Sequence, residues 1–235
     1  MIYTKFKKLV KRMLYGSTYD NETFISSLKK IGISIGDNTI FYDPRTTTID
    51  IQNPYLLEIG SSVRITGNVT ILTHDYSWSV CAYMSGNCLG AISPVKIGDN
   101  VFIGMNTLIL RGTTIGNNVI IGAGSVVHGN IEPNSVYAGI PAKKICSIEQ
   151  FYEKKKERCI NEVETIVKTY LKKNGCPPGT AELREYQFLF KKEIDSDVEI
   201  LMRDTGNYNK CKEYFENHEP VYASLEELID RCIKE

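Results

Sequence analysis

Val95–Val127 reads VKIGDNVFIGMNTLILRGTTIGNNVIIGAGSVV, and its apolar residues return every six positions. Ile97, Ile103, Ile109, Ile115, Ile121 and Val127 form one row; Val95, Val101, Thr107, Thr113, Val119 and Ser125 form a second, two places earlier. Gly98-Asp99-Asn100, Gly104, Gly112, Gly116-Asn117-Asn118 and Gly122-Ala123-Gly124 punctuate the rows with residues that tolerate the positive φ of tight corners. A hexapeptide period supplies one short strand and one turn per repeat, so triangular coils stack and bury a ladder of aliphatics. The spacing therefore predicts a mainly β chain built on a parallel β-helix. The competing reading, three ordinary strands joined by Gly-Asn turns, requires no fixed period and leaves the alignment of six aliphatics to chance.

The remaining composition bounds the function. The 235 residues are 42% hydrophobic and 24% charged, as expected of a globular protein. Basic and acidic residues number 28 each, so net charge gives no reason to expect a nucleic-acid partner, and any anion site must be local. No apolar run is long enough to span a membrane, and the start, MIYTKFKKLVKRMLYG, lacks the apolar centre of a secretory signal. A cytoplasmic location is expected. Seven scattered cysteines without CxxC spacing suit reduced thiols better than a disulfide framework.

Outward from the repeat, three regions are expected: a helical segment over 1–32, the β-helix over 33–146, and a mostly helical extension over 147–235. Residues 3–15 have the spacing of a basic amphipathic helix that either caps the first coil or touches an anionic membrane surface. A second short helix is expected from Thr23 to Lys30. The aliphatic row starts as Ile35, Phe41, Thr47 and Asn53, then continues as Ile59, Ile65 and Ile71. Thr47 and Asn53 are poor core residues, so the coil between Asp43 and Pro54 should be irregular. Ile71 and Ile97 are 26 positions apart, not a multiple of six, so 74–94 should leave the staircase as a loop of roughly twenty residues. Ser147 with Gln150 makes a capping-box pattern that opens a helix from Ile148 to about Lys173. A closing helix should begin at Ser224.

Only three histidines are present, so candidates for a general base near neutral pH are few. His74 begins the excursion, followed by Asp75, Tyr76 and Trp78, the single tryptophan. His128 closes a coil and His218 lies in the tail.

The succession VTILTHDYSW, a loop, the Val95–Val127 repeat and IEPNSVYAGIPAKKI resembles the hexapeptide-repeat O-acetyltransferases, nearest their maltose, galactoside and capsular-polysaccharide group. The likeness runs from Ile33 to Gln150. It implies a left-handed parallel β-helix and a homotrimer with active sites between subunits. It also implies acetyl-CoA as co-substrate, with no metal, and a sugar or polysaccharide acceptor. The family's catalytic histidine falls on His74, which would take the proton of the acceptor hydroxyl, and Asp75 would orient the imidazole or meet the acceptor. Tyr76 and Trp78 would bind the acceptor. Phe102, Gly104, Met105, Ala123 and His128 would line the pantetheine arm, with Lys143 and Lys144 near the phosphates. Phe102, Met105 and His128 depart from the residues common in relatives, and Asp43 to Asn53 aligns poorly with the acceptor-binding coils.

Three other readings remain open at this level. An amine of an amino sugar or antibiotic could replace the hydroxyl. A β-helix carbonic anhydrase would need three histidines around zinc, for which positions 74, 128 and 218 have no ligand spacing. A non-enzymatic scaffold would have no use for a histidine on an aromatic loop.

Overall fold

The computed structural model describes residues 14–234, which form two compact units dividing between Phe151 and Tyr152. The basic helix expected at 3–15 falls almost wholly outside the described residues.

The first unit is a parallel β-helix of three faces. Its core is three stacked columns: Ile35–Ile59–Ile97–Ile115–Ile131, Phe41–Ile65–Ile103–Ile121–Tyr137, and Ile49–Ile71–Ile109–Val127, paired in parallel register at each step. Apart from half-buried Ile49, every member is buried. Removing such an aliphatic side chain from water is worth about 1.5–3 kcal/mol, so the columns supply most of the drive to coil. The second row is buried as well, and its hydroxyls are satisfied locally. Thr107 Oγ1 donates to the Gly104 carbonyl at 2.7 Å, Thr113 Oγ1 to Leu110 at 2.5 Å and Ser125 Oγ to Gly122 at 2.6 Å.

Register measures the irregularities. Ile97 to Ile115 is one clean coil of 18 residues, whereas Ile59 to Ile97 takes 38, so twenty residues are inserted between them. The first coil departs from the expected row: Ile49, not Thr47, enters the third column, paired with Ile71. The turn at Asp43–Thr46, closed by Thr46 N–H to the Asp43 carbonyl, adds two residues before the strand. Asn53 falls in no column either, since a 3-10 turn at Pro54–Leu56 occupies that corner.

Corners are built by left-handed asparagines. Asn100, Asn118 and Asn134 adopt φ of 53°, 56° and 55°, and their side-chain amides form a ladder, Asn100 Nδ2 to Asn118 Oδ1 at 2.9 Å and Asn118 Nδ2 to Asn134 Oδ1 at 2.8 Å. Asparagine tolerates this conformation at low cost. Gly104 answers a different need, close approach: a Cβ there would lie 2.5 Å from the Ala123 nitrogen.

Helix α1, Asn21–Lys30, starts two residues before the expected Thr23 because Asp20 caps it, accepting from Thr23 N–H at 2.8 Å. Within the excursion lies α2, Trp78–Ser85, which the sequence reading treats as plain loop; it ends at Gly86 with φ of 72°. Helix α3, Ile148–Asn174, opens with a reciprocal capping box, Ser147 N–H to Gln150 Oε1 at 3.0 Å and Gln150 N–H to Ser147 Oγ at 3.2 Å. The second unit has its own core around Val163, Val167, Leu183, Leu189, Tyr222 and Leu228. Its last helix, Leu225–Lys234, is capped by Ser224 Oγ, which accepts from Glu227 N–H at 3.3 Å.

Candidate active site

The third column fixes the site. Strand Thr70–Ile71 delivers Thr73 and His74 to the corner just past it, and Thr48–Ile49, one coil earlier, delivers Asp50 beside them; Asp50 N–H donates to the Ile71 carbonyl at 3.0 Å. The side chain of Asp50 is buried, yet fully occupied. Oδ2 accepts from Thr73 N–H at 2.9 Å, from Thr73 Oγ1 at 2.7 Å and from Nδ1 of His74, while Oδ1 accepts from Gln52 N–H at 3.0 Å. Burial alone pushes the Asp50 carboxyl up, but the bonds from Thr73, Gln52 and His74 outweigh it and hold the pKa down at about 2. The group is therefore an anion at any neutral pH.

An ionised carboxylate only accepts, so Nδ1 of the neutral imidazole carries the hydrogen and Nε2 keeps the lone pair. His74 is about one-quarter exposed and faces a cleft of about 270 Å³ lined also by Gln52, Asp75, Tyr76, Trp78 and Leu89. The Tyr76 ring lies edge-on to the imidazole at 5.9 Å, and Trp78 follows at 5.6 Å from Tyr76. A base, its orienting anion and an aromatic wall thus share one cleft. Such an arrangement can take a proton from a weakly acidic hydroxyl held against the rings.

Of the two roles expected of Asp75, orienting the imidazole falls to another residue, while Asp75 itself lines the cleft. The carboxylate that meets His74 is that of Asp50, while Asp75 is engaged by Arg111 and by Ser77, whose N–H donates at 2.9 Å. The Arg111 guanidinium, with Ser77, holds the Asp75 carboxyl well below the usual carboxylate range. Adjacent residues at a corner point to different neighbours, which separates the two roles. Sequence reasoning misses Asp50, because only the observed register, which sets Ile49 beside Ile71 and Ile71 beside Ile109, puts it in one row with Leu72 and Leu110 as the acid among them.

The residues expected along a cofactor spread over the outside of the later coils. Phe102 stands on the outward side of the second face, 40% exposed, and Met105 and Ala123 stack on the corner after it, where Gly124 N–H donates to the Met105 carbonyl at 2.7 Å. Gly104 is buried at the base of that corner. His128 is exposed just past Val127, two strand spacings or about 10 Å along the third column from Ile71. Lys143 and Lys144 lie on strand Lys143–Ser147, antiparallel to Ser135–Ala138. Lys144 pairs with Glu132 at 2.7 Å, and Lys143 is exposed. His218 is in the second unit, buried with both ring nitrogens against carbonyl oxygens of Phe215 and Phe188, at 2.7 and 2.8 Å.

Comparison with known proteins bears on this site. Residues 94–129 match the bacterial transferase hexapeptide model of six repeats. The chain is 38% identical over 149 residues to Protein CapG of Staphylococcus aureus, covering 63% of this chain and 80% of CapG. It is 38% identical over 116 residues to the galactoside O-acetyltransferase of Escherichia coli K12, covering 49% of this chain and 54% of that enzyme. A candidate lipopolysaccharide biosynthesis O-acetyl transferase of the same organism, WbbJ, is 34% identical over 140 residues, covering 55% of this chain and 71% of that protein. The chain thus spans only about half the length of the galactoside enzyme but most of CapG.

Proposed function

This chain belongs to the hexapeptide-repeat acetyltransferases, and on that premise we propose that it transfers an acetyl group from acetyl-CoA to a sugar hydroxyl, in the assembly of a surface polysaccharide. The observation that carries the reading is the Asp50–His74 pair at an aromatic cleft. Similarity to a galactoside O-acetyltransferase and to WbbJ supports a sugar acceptor and a polysaccharide setting. The aromatic wall of Tyr76 and Trp78 supports the same choice, because the C–H faces of a pyranose pack on such rings.

Acetyl-CoA supplies the acyl thioester. Nε2 of His74 takes the hydroxyl proton as the sugar oxygen attacks the carbonyl carbon, the C–S bond breaks, and the imidazolium returns its proton to the departing thiolate. Asp50 holds the tautomer with Nδ1 protonated and stabilises the imidazolium once it forms, the division of labour seen wherever a buried carboxylate backs a histidine base. Backbone N–H groups of the coils are the donors for the oxyanion.

The later coils suit such a co-substrate. Phe102, Met105 and Ile140 are exposed and apolar, and the exposed cation of Lys143 follows them in the chain, so an apolar arm ending in phosphates meets matching chemistry. Gly104, Ala123 and His128 complete the track, with Lys144 a second cation. We assign left-handed coils and a homotrimer to this family member, with catalysis housed in 33–146 and in the cytoplasm. Among the described residues no helix is long and apolar enough to cross a membrane.

Mass spectrometry of acetyl transfer to a panel of mono- and oligosaccharides tests the proposal, with His74→Ala alongside. Loss of product by about two or more orders of magnitude in a folded variant is expected for removal of a general base. Transfer by His74→Ala at the wild-type rate removes the role given to His74; transfer to amines alone replaces the acceptor.

A further inference from the structure

We infer that Arg111 is a positioning residue: by gripping Asp75 and Ser93, at the two ends of the 74–94 excursion, it holds the Tyr76–Trp78 pair against His74 and so presents the acceptor to the base. The inference rests on the cleft being the acceptor site.

Arg111 follows Leu110 on the corner one coil beyond His74. Its Nε donates to Oδ2 of Asp75 and its Nη1 to Oγ of Ser93 at 3.4 Å. The next residue continues the grip, Gly112 N–H donating to the Pro94 carbonyl at 3.1 Å. The other oxygen of Asp75 takes the N–H and hydroxyl of Ser77, the residue that precedes Trp78. One carboxylate therefore joins the guanidinium to the first turn of α2. Two backbone bonds close the base of the excursion, Asp75 N–H to the Ala91 carbonyl at 3.0 Å and Ser93 N–H to Thr73 at 2.9 Å.

The excursion needs an external hold because it lacks a core. No residue of α2 is buried, and Val80, Tyr83 and Met84 are among its exposed side chains. Its place relative to His74 is set by the bonds at its ends, and Arg111 reaches both. A guanidinium suits the task, since its planar fork carries five donors and can serve two partners at once; a lysine ammonium is a single point of contact on a flexible stem. An isolated half-exposed ion pair contributes little. Here it is one strand of a network whose members restrain the same segment, and misplacing a substrate-positioning group by about 1 Å can cost about a hundredfold in rate.

Trp78 is the only tryptophan, so its fluorescence reads the excursion directly, with or without substrate. The full chain is compared with Arg111→Gln and Asp75→Asn, each checked for folding by circular dichroism. Both variants should show red-shifted emission and greater acrylamide quenching, and in the wild type alone quenching should grow with salt, because screening loosens the ion pair. In acetyl transfer, KM for the acceptor should rise by about tenfold with KM for acetyl-CoA within about twofold, and the double variant should lose less than the two single losses combined. Arg111→Lys should recover part of the loss. Unchanged Trp78 quenching in Arg111→Gln overturns the clamp, and changed quenching with an unchanged acceptor KM overturns its part in presenting the acceptor. Absence of acetyl transfer to any sugar by the wild type is the failure of the functional reading instead, and the fluorescence arm then still decides whether the clamp exists.

Discussion

The carboxylate of Asp50 and the imidazole of His74, 24 residues apart in the chain, meet because one irregular coil of the β-helix brings them to the same corner. Neither residue alone is informative. Together they specify a tautomer, and the tautomer specifies which nitrogen is free to act. Asp50→Asn should keep the shape of the contact while removing the anion, and an amide can turn its N–H₂ toward Nδ1, forcing the hydrogen onto Nε2. We expect kcat for acetyl transfer to fall by about 10²-fold or more, in the range of a lost general base, with KM for acetyl-CoA little changed. Steady-state kinetics of the variant check this; a kcat within a few-fold of wild type would exclude Asp50 from the mechanism.

The same carboxylate links stability to pH. Its folded pKa of about 2 lies below the ordinary 3.8, so it contributes stability that is fully present above pH 3.8 and is lost as pH falls toward 2. A depression of this size corresponds to about 2 kcal/mol. Urea unfolding followed between pH 5 and 2.5 should show wild-type stability falling more steeply than that of Asp50→Asn, because the amide has no proton to bind. Parallel curves would mean that Asp50 is not held as an anion in the folded chain.

Much of this architecture was legible in the six-residue period, and the reason is physical. Ile97 to Val127 repeat because every coil must present an aliphatic to the same column, so packing writes itself into spacing. The twenty-residue excursion was legible as a failure of that spacing between Ile71 and Ile97, and His74 and the aromatics of the cleft could be singled out from it. Asp50 was not, because its coil carries two extra residues after Phe41, which hid the register that pairs Ile49 with Ile71. The Arg111–Asp75 contact was equally hidden. It joins positions 36 apart across an insertion, and no local pattern marks such a pair. Helix α2 escaped notice because no side chain caps its start; only Gly86 beyond Ser85 signalled an end.

Ile109 tests how far the columns carry the fold. It is fully buried between Ile71 and Val127, with backbone on every side that cannot collapse inward without breaking the ladder. Ile109→Ala should cost about 2–5 kcal/mol, whereas Asn118→Gly, which accepts the same φ of 56° but breaks the amide ladder, should cost about 1 kcal/mol. Thermal melts of the two variants rank the contributions. A larger loss from Asn118→Gly would make the corner ladder, not the aliphatic column, the main brace of the coil.

Lys143 and Lys144 stand side by side, yet their surroundings predict unequal parts in binding acetyl-CoA. Lys144 is paired with Glu132 on the neighbouring loop, and the glutamate raises the pKa of its ammonium, so recruiting it to a phosphate means giving up an existing partner. Lys143 has no such partner among the described residues and is free to meet an anion. Lys143→Ala should therefore weaken acetyl-CoA binding by about fivefold to tenfold at low salt, the scale of one charge-assisted contact, and Lys144→Ala by less. Glu132→Gln should tighten binding slightly in the wild-type background and have no effect when Lys144 is already alanine. Isothermal titration with acetyl-CoA and with its analogue lacking the 3′-phosphate measures all three. Equal losses in the two lysine variants would show that the pair with Glu132 does not restrain Lys144, and no loss in either would move the phosphate contacts away from the strand that follows the last coil.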